Sequence, residues 1–584
     1  MSTTGVGRVV AGAGLLAAVA LLPWLSGTDP ALAVLRARSA DQDPTPEQLA
    51  AVREALGLDQ GPLPHLAHWL GGLLRGDAGV SWVSGQPVLP EVATAFAVSV
   101  TLMLGALVVT VAVAALVCAR TLRQGAELRL REERAGTAAA FLAALPKFLL
   151  ASLLATVFAV WLGWFPSSGW EGPASMVLPA LALGVPSGAV IGGLLAQSLP
   201  AAFAQPWVRT WHACGFPPGY IARHGLRGAV AGVLPQLLPT IVGLVGGAVA
   251  VEKIFNVPGL GRLALDAAVA RDLPPLQTAT LVLVLLGVVA GLLVGAARRG
   301  LLGPALRDGA LPALNPPALR PHRFTRRIGG LCALALLTLV VAGLARDPLH
   351  VDTAARLAVP SIEHPLGTDA LGRDLLARLG HGALRTTALA LGVTAVSVLI
   401  GLLLGMTGRV GAGLTEVMST LPAVLAGLLT TAVTGPSVWG AACAVCLVAW
   451  TPYAVQAAAL FEQERATEHV RVSKSLGASP VHLMRRSLLP AVLPGVLRNA
   501  VLRLPTTVLV LASLGFLGLG EQPPAPEWGR LLSENQPYLE LAPWTVLGPA
   551  GALVLLSVLA VSSTTGPASP GRRTLVAVLS GRRR

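Results

Sequence analysis

The chain has 584 residues, 54% hydrophobic and only 12% charged, with a mean hydropathy of +0.69. A soluble chain carries roughly a quarter charged residues, so this composition points away from soluble domains and toward a polytopic membrane protein with apolar runs of about 20 residues. The net charge of +14 does not imply nucleic-acid binding, because the arginines are shared among alternate loops and form no single patch.

The first apolar run, residues 9–25, follows Arg8 and reads as an uncleaved span, although Ala31-Leu32-Ala33 resembles a secretory cleavage site. Residues 29–90 form a polar segment containing Asp41, Asp43, Glu47, Glu54, Asp59 and Asp77. Further spans are expected near 92–119, 138–164, 174–199, 229–251 and 277–297. The intervening loops alternate in charge. Residues 120–134 carry Arg120, Arg123, Arg129, Arg131 and Arg134, and residues 200–228 carry Arg209, Arg223 and Arg227 with no acid, whereas 165–173 carries only Glu171. The positive-inside rule then places both chain termini in the cytoplasm and residues 29–90 outside.

Residues 303–327 are rich in proline and arginine and read as a cytoplasmic linker. After it the pattern restarts in the same phase, with spans expected near 328–345, 383–408, 414–434, 438–459, 495–515 and 542–563. The expected organisation is a first half at 1–302, the linker, and a second half at 328–584. The fold class is all-α integral membrane, with about twelve helices in two halves related by a pseudo-two-fold axis along the membrane normal.

The halves repeat internally. Each has a basic loop between its fourth and fifth spans divided by a glycine, Gly215 in one and Gly477 in the other. Each has a Gly-Leu-Gly beyond its fifth span, Gly259-Leu260-Gly261 and Gly518-Leu519-Gly520. The second basic loop, Glu468 to Pro490, is amphipathic and closes on Leu489-Pro490. A short amphipathic helix of this kind can set its apolar face into a groove on a partner, and the glycine permits the turn after it.

Catalytic motifs are missing from the sequence. The three lysines are Lys147, Lys253 and Lys474, and none sits in a phosphate-binding GxxxxGK[ST] loop. There is no HExxH or GxSxG; His65 and His68 have no further ligand nearby, and Cys443 and Cys446 fall inside an apolar run where small residues pack helices. The chain is expected to bind no cofactor or metal and to draw its energy from elsewhere. Lys147 and Glu416 lie in or near spans; each is either a pathway group or a side chain that snorkels to the membrane surface.

Several segments resemble the dipeptide/oligopeptide/nickel permeases of ATP-binding-cassette importers. His364-Pro-Leu-Gly-Thr-Asp-Ala-Leu-Gly-Arg-Asp374, Phe516-Leu-Gly-Leu-Gly520, Glu527-Trp-Gly529 and Ala542-Pro-Trp544 are similar to one permease subunit of such systems. Thr45-Pro-Glu-Gln-Leu49, Leu56-Gly-Leu-Asp59, Glu252, Pro258-Gly-Leu-Gly-Arg262 and Ala270-Arg-Asp272 are similar to its partner subunit. The resemblance covers nearly the whole chain and implies two permease subunits fused in one, with the type I importer transmembrane fold.

It also implies that the basic loops are the family's EAA loops, which couple to ATPases. The triplet falls on Arg209, Thr210 and Trp211 before Gly215, and on Arg471, Val472 and Ser473 before Gly477, with Leu489 and Pro490 at the family's Leu-Pro. Arginine stands where the family has its acid. Gly259, Gly261, Arg262, Gly518 and Gly520 would belong to the extracellular side. The implied partners are two ATPase subunits carrying ATP and Mg, an extracellular solute-binding lipoprotein and the lipid bilayer, with peptide or a small solute such as nickel as cargo. The rival reading is an ion-coupled secondary transporter of two six-span halves. It needs paired acids near the bilayer midplane, and the spans of the first half carry none.

Overall fold

The computed structural model describes residues 45–55, 71–73, 75–129, 141–143, 145–302, 323–419 and 421–564, with isolated positions before residue 71. The expected span at 9–25, His65, His68, linker residues 303–322 and the tail from 565 onward lie outside the described residues, as does much of the segment at 29–90.

The first half runs α1 (Pro46–Ala55), α2 (Val88–Ala126), α3 (Lys147–Leu154, continued by a π-helical stretch Ala155–Trp161), α4 (Pro173–Phe203), α5 (Pro206–Ala213), α6 (Pro218–Ile254), α7 (Leu260–Ala270) and α8 (Leu273–Leu302). The second runs α9 (Arg323–Leu344), α10 (Leu375–Met406), α11 (Arg409–Met418), α12 (Ala423–Thr434), α13 (Val438–Ala449), α14 (Thr451–Arg465), α15 (Glu468–Ser475), α16 (Pro480–Leu483), α17 (Leu489–Leu517), α18 (Trp528–Asn535) and α19 (Trp544–Thr564). Among the described residues there is no strand, only two isolated bridges, Val80 with Pro87 and Thr368 with Asp374. Among the described residues, seven helical stretches are long and apolar enough to cross a membrane, and shorter apolar ones lie at Lys147–Trp161, Ala423–Thr434 and Trp544–Leu559.

Apolar stripes left uncovered on these helices mark the lipid-facing surface. Leu104, Val108 and Val111 on α2 and Leu331, Leu334, Leu337 and Val341 on α9 are all exposed at helical spacing. Where helices pack closely, small residues make the room. Gly184, Gly188 and Gly192 of α4 lie against Val109, Val113 and Val117 of α2, and a methyl group on any of the three would come within 2.7 Å of the valine opposite.

One continuous core joins the halves, with Leu102, Leu149, Leu183 and Val249 on one side and Leu425, Leu511, Phe516 and Leu553 on the other. At the seam, Lys253 Nζ donates to the Phe516 carbonyl at 3.0 Å. The rings of Phe148 and Phe516 stack with centroids 5.3 Å apart. Gly246 of α6 sits so close to Pro422 that a Cβ there would lie 2.8 Å from the proline's own.

Several boundaries differ from the sequence expectation. The fifth spans do not start at 229 and 495: α6 begins at Pro218, and helix runs from Pro480 through a π-helical stretch, Met484–Leu488, into α17. The C-terminal part of each basic loop is therefore helix. Leu489-Pro490 does not close the second loop either, because Pro490 sits in the first turn of α17. Proline removes one backbone donor, and a π-turn is a common way to accommodate such an interruption. The spans expected at 138–164 and 414–434 start or restart at a Leu-Pro step, Leu145-Pro146 and Leu421-Pro422, since the residue before proline is pushed out of helical geometry. Finally, Arg323 to Arg327, assigned to the linker, open α9.

Candidate functional site

The two basic loops fold into the same elbow. In the first half, α5 ends at Ala213, and Gly215 takes a left-handed φ of +78°. Its N–H donates to the His212 carbonyl at 3.1 Å, and the N–H of Phe216 donates to Trp211 at 3.1 Å. In the second half, α15 ends at Ser475 and Gly477 has φ +85°. Its N–H donates to Lys474 at 3.1 Å, and that of Ala478 to Ser473 at 3.1 Å. This is the glycine-terminated helix end that satisfies the last carbonyls. A proline then starts the next helix in each, Pro218 and Pro480.

Each elbow is tied to the spans by a small core of its own. Val208 on α5 and Ile221 on α6 are fully buried with Leu199 and Phe203. Their counterparts, Val470 on α15 and Leu483 on α16, pack with Phe461, Leu488 and Val492. One apolar face of the short helix is thereby spent on the bundle. Arg209, Thr210, Arg471, Val472, Gly215 and Gly477 remain exposed, while Trp211 and Ser473 are half-buried.

The outward surfaces differ in chemistry. Trp211 lies at the centre of a cluster, with ring centroids 4.8 Å from Trp207, 5.5 Å from Phe216, 5.3 Å from Tyr220 and 4.7 Å from His224. The second elbow presents Val472, Leu476 and Val481, all exposed, among Arg471, Lys474 and Arg485.

The opposite end of the bundle carries the glycine motifs, but they are not equivalent. Gly259 is the residue before α7, with an ordinary φ of −98°, whereas Gly518 ends α17 with φ +85°. The true counterpart of Gly518 is Asn256, which follows α6 with φ +55°. Gly259 and Gly261 instead make room for Glu252, whose carboxylate accepts from Ser99 Oγ at 2.7 Å and from the Arg262 N–H at 2.9 Å. Arg262 also pairs with Asp266 at 3.4 Å, and Gly520 packs on Gly515.

Glu527 caps α18, accepting from the N–H groups of Gly529 at 3.0 Å and Arg530 at 2.8 Å. Burial pushes its pKa up to about 7, against the pull of those two bonds.

The segment from His364 to Asp374 forms an ionic lock at the same end. Asp369 binds Arg373 Nε at 2.8 Å and the buried Arg378 at 2.7 Å, and Arg378 reaches Glu534 of α18 at 3.0 Å. Asp374 caps α10 through the Ala377 N–H at 2.9 Å, and binds Arg346 at 2.7 Å and His364 Nδ1 at 2.9 Å. Burial opposes ionisation of Asp374, but its hydrogen bonds to Ala377, His364 and Arg346 outweigh it and hold the carboxyl below its ordinary value.

Lys147 does not snorkel out of the bundle. Its Nζ donates to the carbonyl of Gly243, in the last third of α6. Glu416 is on α11, and its side chain lies outside the described residues.

The family described as "Binding-protein-dependent transport system inner membrane component" matches this chain twice, over residues 135–303 and 388–565. The chain belongs to that family.

Among its relatives, the di/tripeptide transport system permease protein DppC of Pseudomonas aeruginosa is 37% identical over 205 residues, 34% of this chain and 67% of its own length. The glutathione transport system permease protein GsiC of Escherichia coli K12 is 35% identical over 260 residues, 44% of this chain and 83% of its own. Each relative spans less than half of this chain, as expected if one chain carries two permease domains. The chain is thus a membrane permease component of an ATP-binding-cassette importer, and the ion-coupled reading is not favoured. Within each matched stretch lies one elbow, with Gly215 in the first and Gly477 in the second.

Sequence reasoning located both elbows and the Lys147 position. It gave no role to Ser99, Arg378 or Glu534, because the groups they bind lie over 150 residues away or, for Asp369, in a segment read only as a family signature.

Proposed function

We propose that this permease supplies both transmembrane halves of a peptide importer and docks two ATPase subunits through its elbows. The observation that carries the docking is the repeated geometry: an exposed eight-residue helix, a left-handed glycine and a proline-started span helix, anchored by matching apolar residues. A rigid connection of this kind passes a push on α5 or α15 directly into α6 or α17. The elbow end would face the cytoplasm, in keeping with the positive-inside rule, and both termini with it. The end carrying Gly259, Gly261, Arg262, Gly518 and Gly520 would face a solute-binding lipoprotein outside.

ATP and Mg would reside on the ATPases, and alternation between inward- and outward-facing states would drive net import. Peptide as cargo rests on the names of the relatives. Lys147, near the seam between the halves, is the pathway group of this reading; Glu416 is the second candidate. The test is reconstitution with the two ATPases and the binding protein in proteoliposomes. ATP-dependent uptake of a labelled dipeptide supports the reading. Uptake that persists without ATP in an ion gradient refutes it.

A further inference from the structure

The position of Lys147 can be read from two helices. From Gly243 to the end of α6 at Ile254 is about 16 Å at 1.5 Å per residue, and from Lys147 to Trp161 about 21 Å. Measured from the end opposite the elbows, the two figures fall inside a hydrocarbon core about 30 Å thick, between its middle and its elbow-side third. Gly243 and Gly246 share a face of α6. Gly246 touches Pro422 of the second half, while Gly243, one turn nearer the elbows, is exposed. Lys147 therefore sits where the closed seam between the halves gives way to open space.

The fold does not call for a lysine there. The same Leu-Pro step in the second half, Leu421-Pro422, is followed by Ala423. The backbone is the same, with Pro146 at φ −61°, ψ 137° and Pro422 at φ −64°, ψ 139°. Room has nevertheless been made for the longer chain: a Cβ on Gly247 would lie 2.4 Å from Lys147 Cδ. Among the described residues no carboxylate pairs with the ammonium, and one of its three donors goes to Gly243. A cation at this depth without a counter-charge is costly and marks a functional position.

We propose that Lys147 is a cargo-binding position that takes a carboxylate of the solute as it crosses the seam. This rests on the permease reading above and adds the charge class of the cargo. The carboxylate supplies the missing counter-charge through charge-assisted hydrogen bonds from the two remaining donors. The placement is one-sided at this step, lysine in the first half and alanine in the second.

The test compares the assembled transporter carrying wild-type permease, Lys147→Ala and Lys147→Arg. The probes are a labelled dipeptide with a free C-terminal carboxylate and the same dipeptide as its C-terminal amide. The alanine variant should lose tenfold or more of the uptake of the acid and keep its uptake of the amide, and arginine should restore the acid. Equal losses on both probes, or no loss on either, overturn the proposal and leave the importer reading standing. Wild-type protein that carries neither probe overturns the peptide reading, and the carboxylate position with it.

Discussion

The elbow glycines permit a graded prediction. A Cβ at Gly477 would meet nothing within 4 Å, so any cost of substitution arises in the backbone alone, from its φ of +85°. Left-handed geometry costs an L-residue about 1–2 kcal/mol, least for asparagine and most for β-branched side chains. At about 1.4 kcal/mol per factor of ten, Gly477→Ala should raise opening of the elbow roughly fivefold and Gly477→Val roughly thirtyfold, with Gly477→Asn close to wild type. The amide of Ala478, bonded to the Ser473 carbonyl at 3.1 Å, is a direct reporter. Its hydrogen exchange should accelerate in the order Asn, Ala, Val, and ATPase stimulation should fall in the same order. Gly215 should repeat the series. Gly219, with equal space and no positive φ, is the control and should tolerate alanine freely. Equal exchange in the alanine and valine variants, or a Gly219 effect as large as that at Gly477, would refute the reasoning.

Other expectations concern the opposite end and the helix packing. Glu527 has a raised pKa when folded, so its contribution to stability is fully present below about pH 4.5 and is lost as pH rises through about 7; the total is at most about 3 kcal/mol. Thermal unfolding at pH 5 and pH 8 should show a larger fall in the wild type than in Glu527→Gln, and a variant that keeps the full wild-type slope contradicts it. Asp369→Leu leaves the buried Arg378 with Glu534 as its remaining carboxylate partner and should cost about 1.5–3 kcal/mol. Adding Arg378→Met should recover part of that loss, and additive losses in the double variant would contradict the pairing. Gly188→Leu forces a side chain against Val113 and the Thr110 carbonyl, and should lower the unfolding midpoint by the equivalent of about 1–3 kcal/mol.

The spans were legible because long apolar runs with few charges permit little but membrane helices. The elbows were legible because glycine after a short amphipathic run has one common use. The extent of α6 was not: residues 218–228 carry Arg223 and Arg227, and hydropathy ends a span where polarity begins, although the backbone stays helical into solvent. The early start of α10 at Leu375 was missed for the same reason, since Arg378 looks like loop until Asp369 and Glu534 are seen beside it. The match of Gly259 with Gly518 followed letters, whereas the left-handed turn that the fold repeats falls on Asn256 and Gly518. Lys147 could be flagged as an intramembrane charge, but its depth depends on which carbonyl it meets, and Gly243 is on a helix remote in sequence.

Docking of the ATPases by the elbows is open to a direct check by photocrosslinking in the assembled complex. A photoreactive residue placed at Leu476, 82% exposed beside Gly477, and another at its counterpart Cys214 should each give an adduct of ATPase mass. One at Leu541, 74% exposed at the opposite end, should give none. Adducts from Leu541 with silence at both elbows would contradict the assignment.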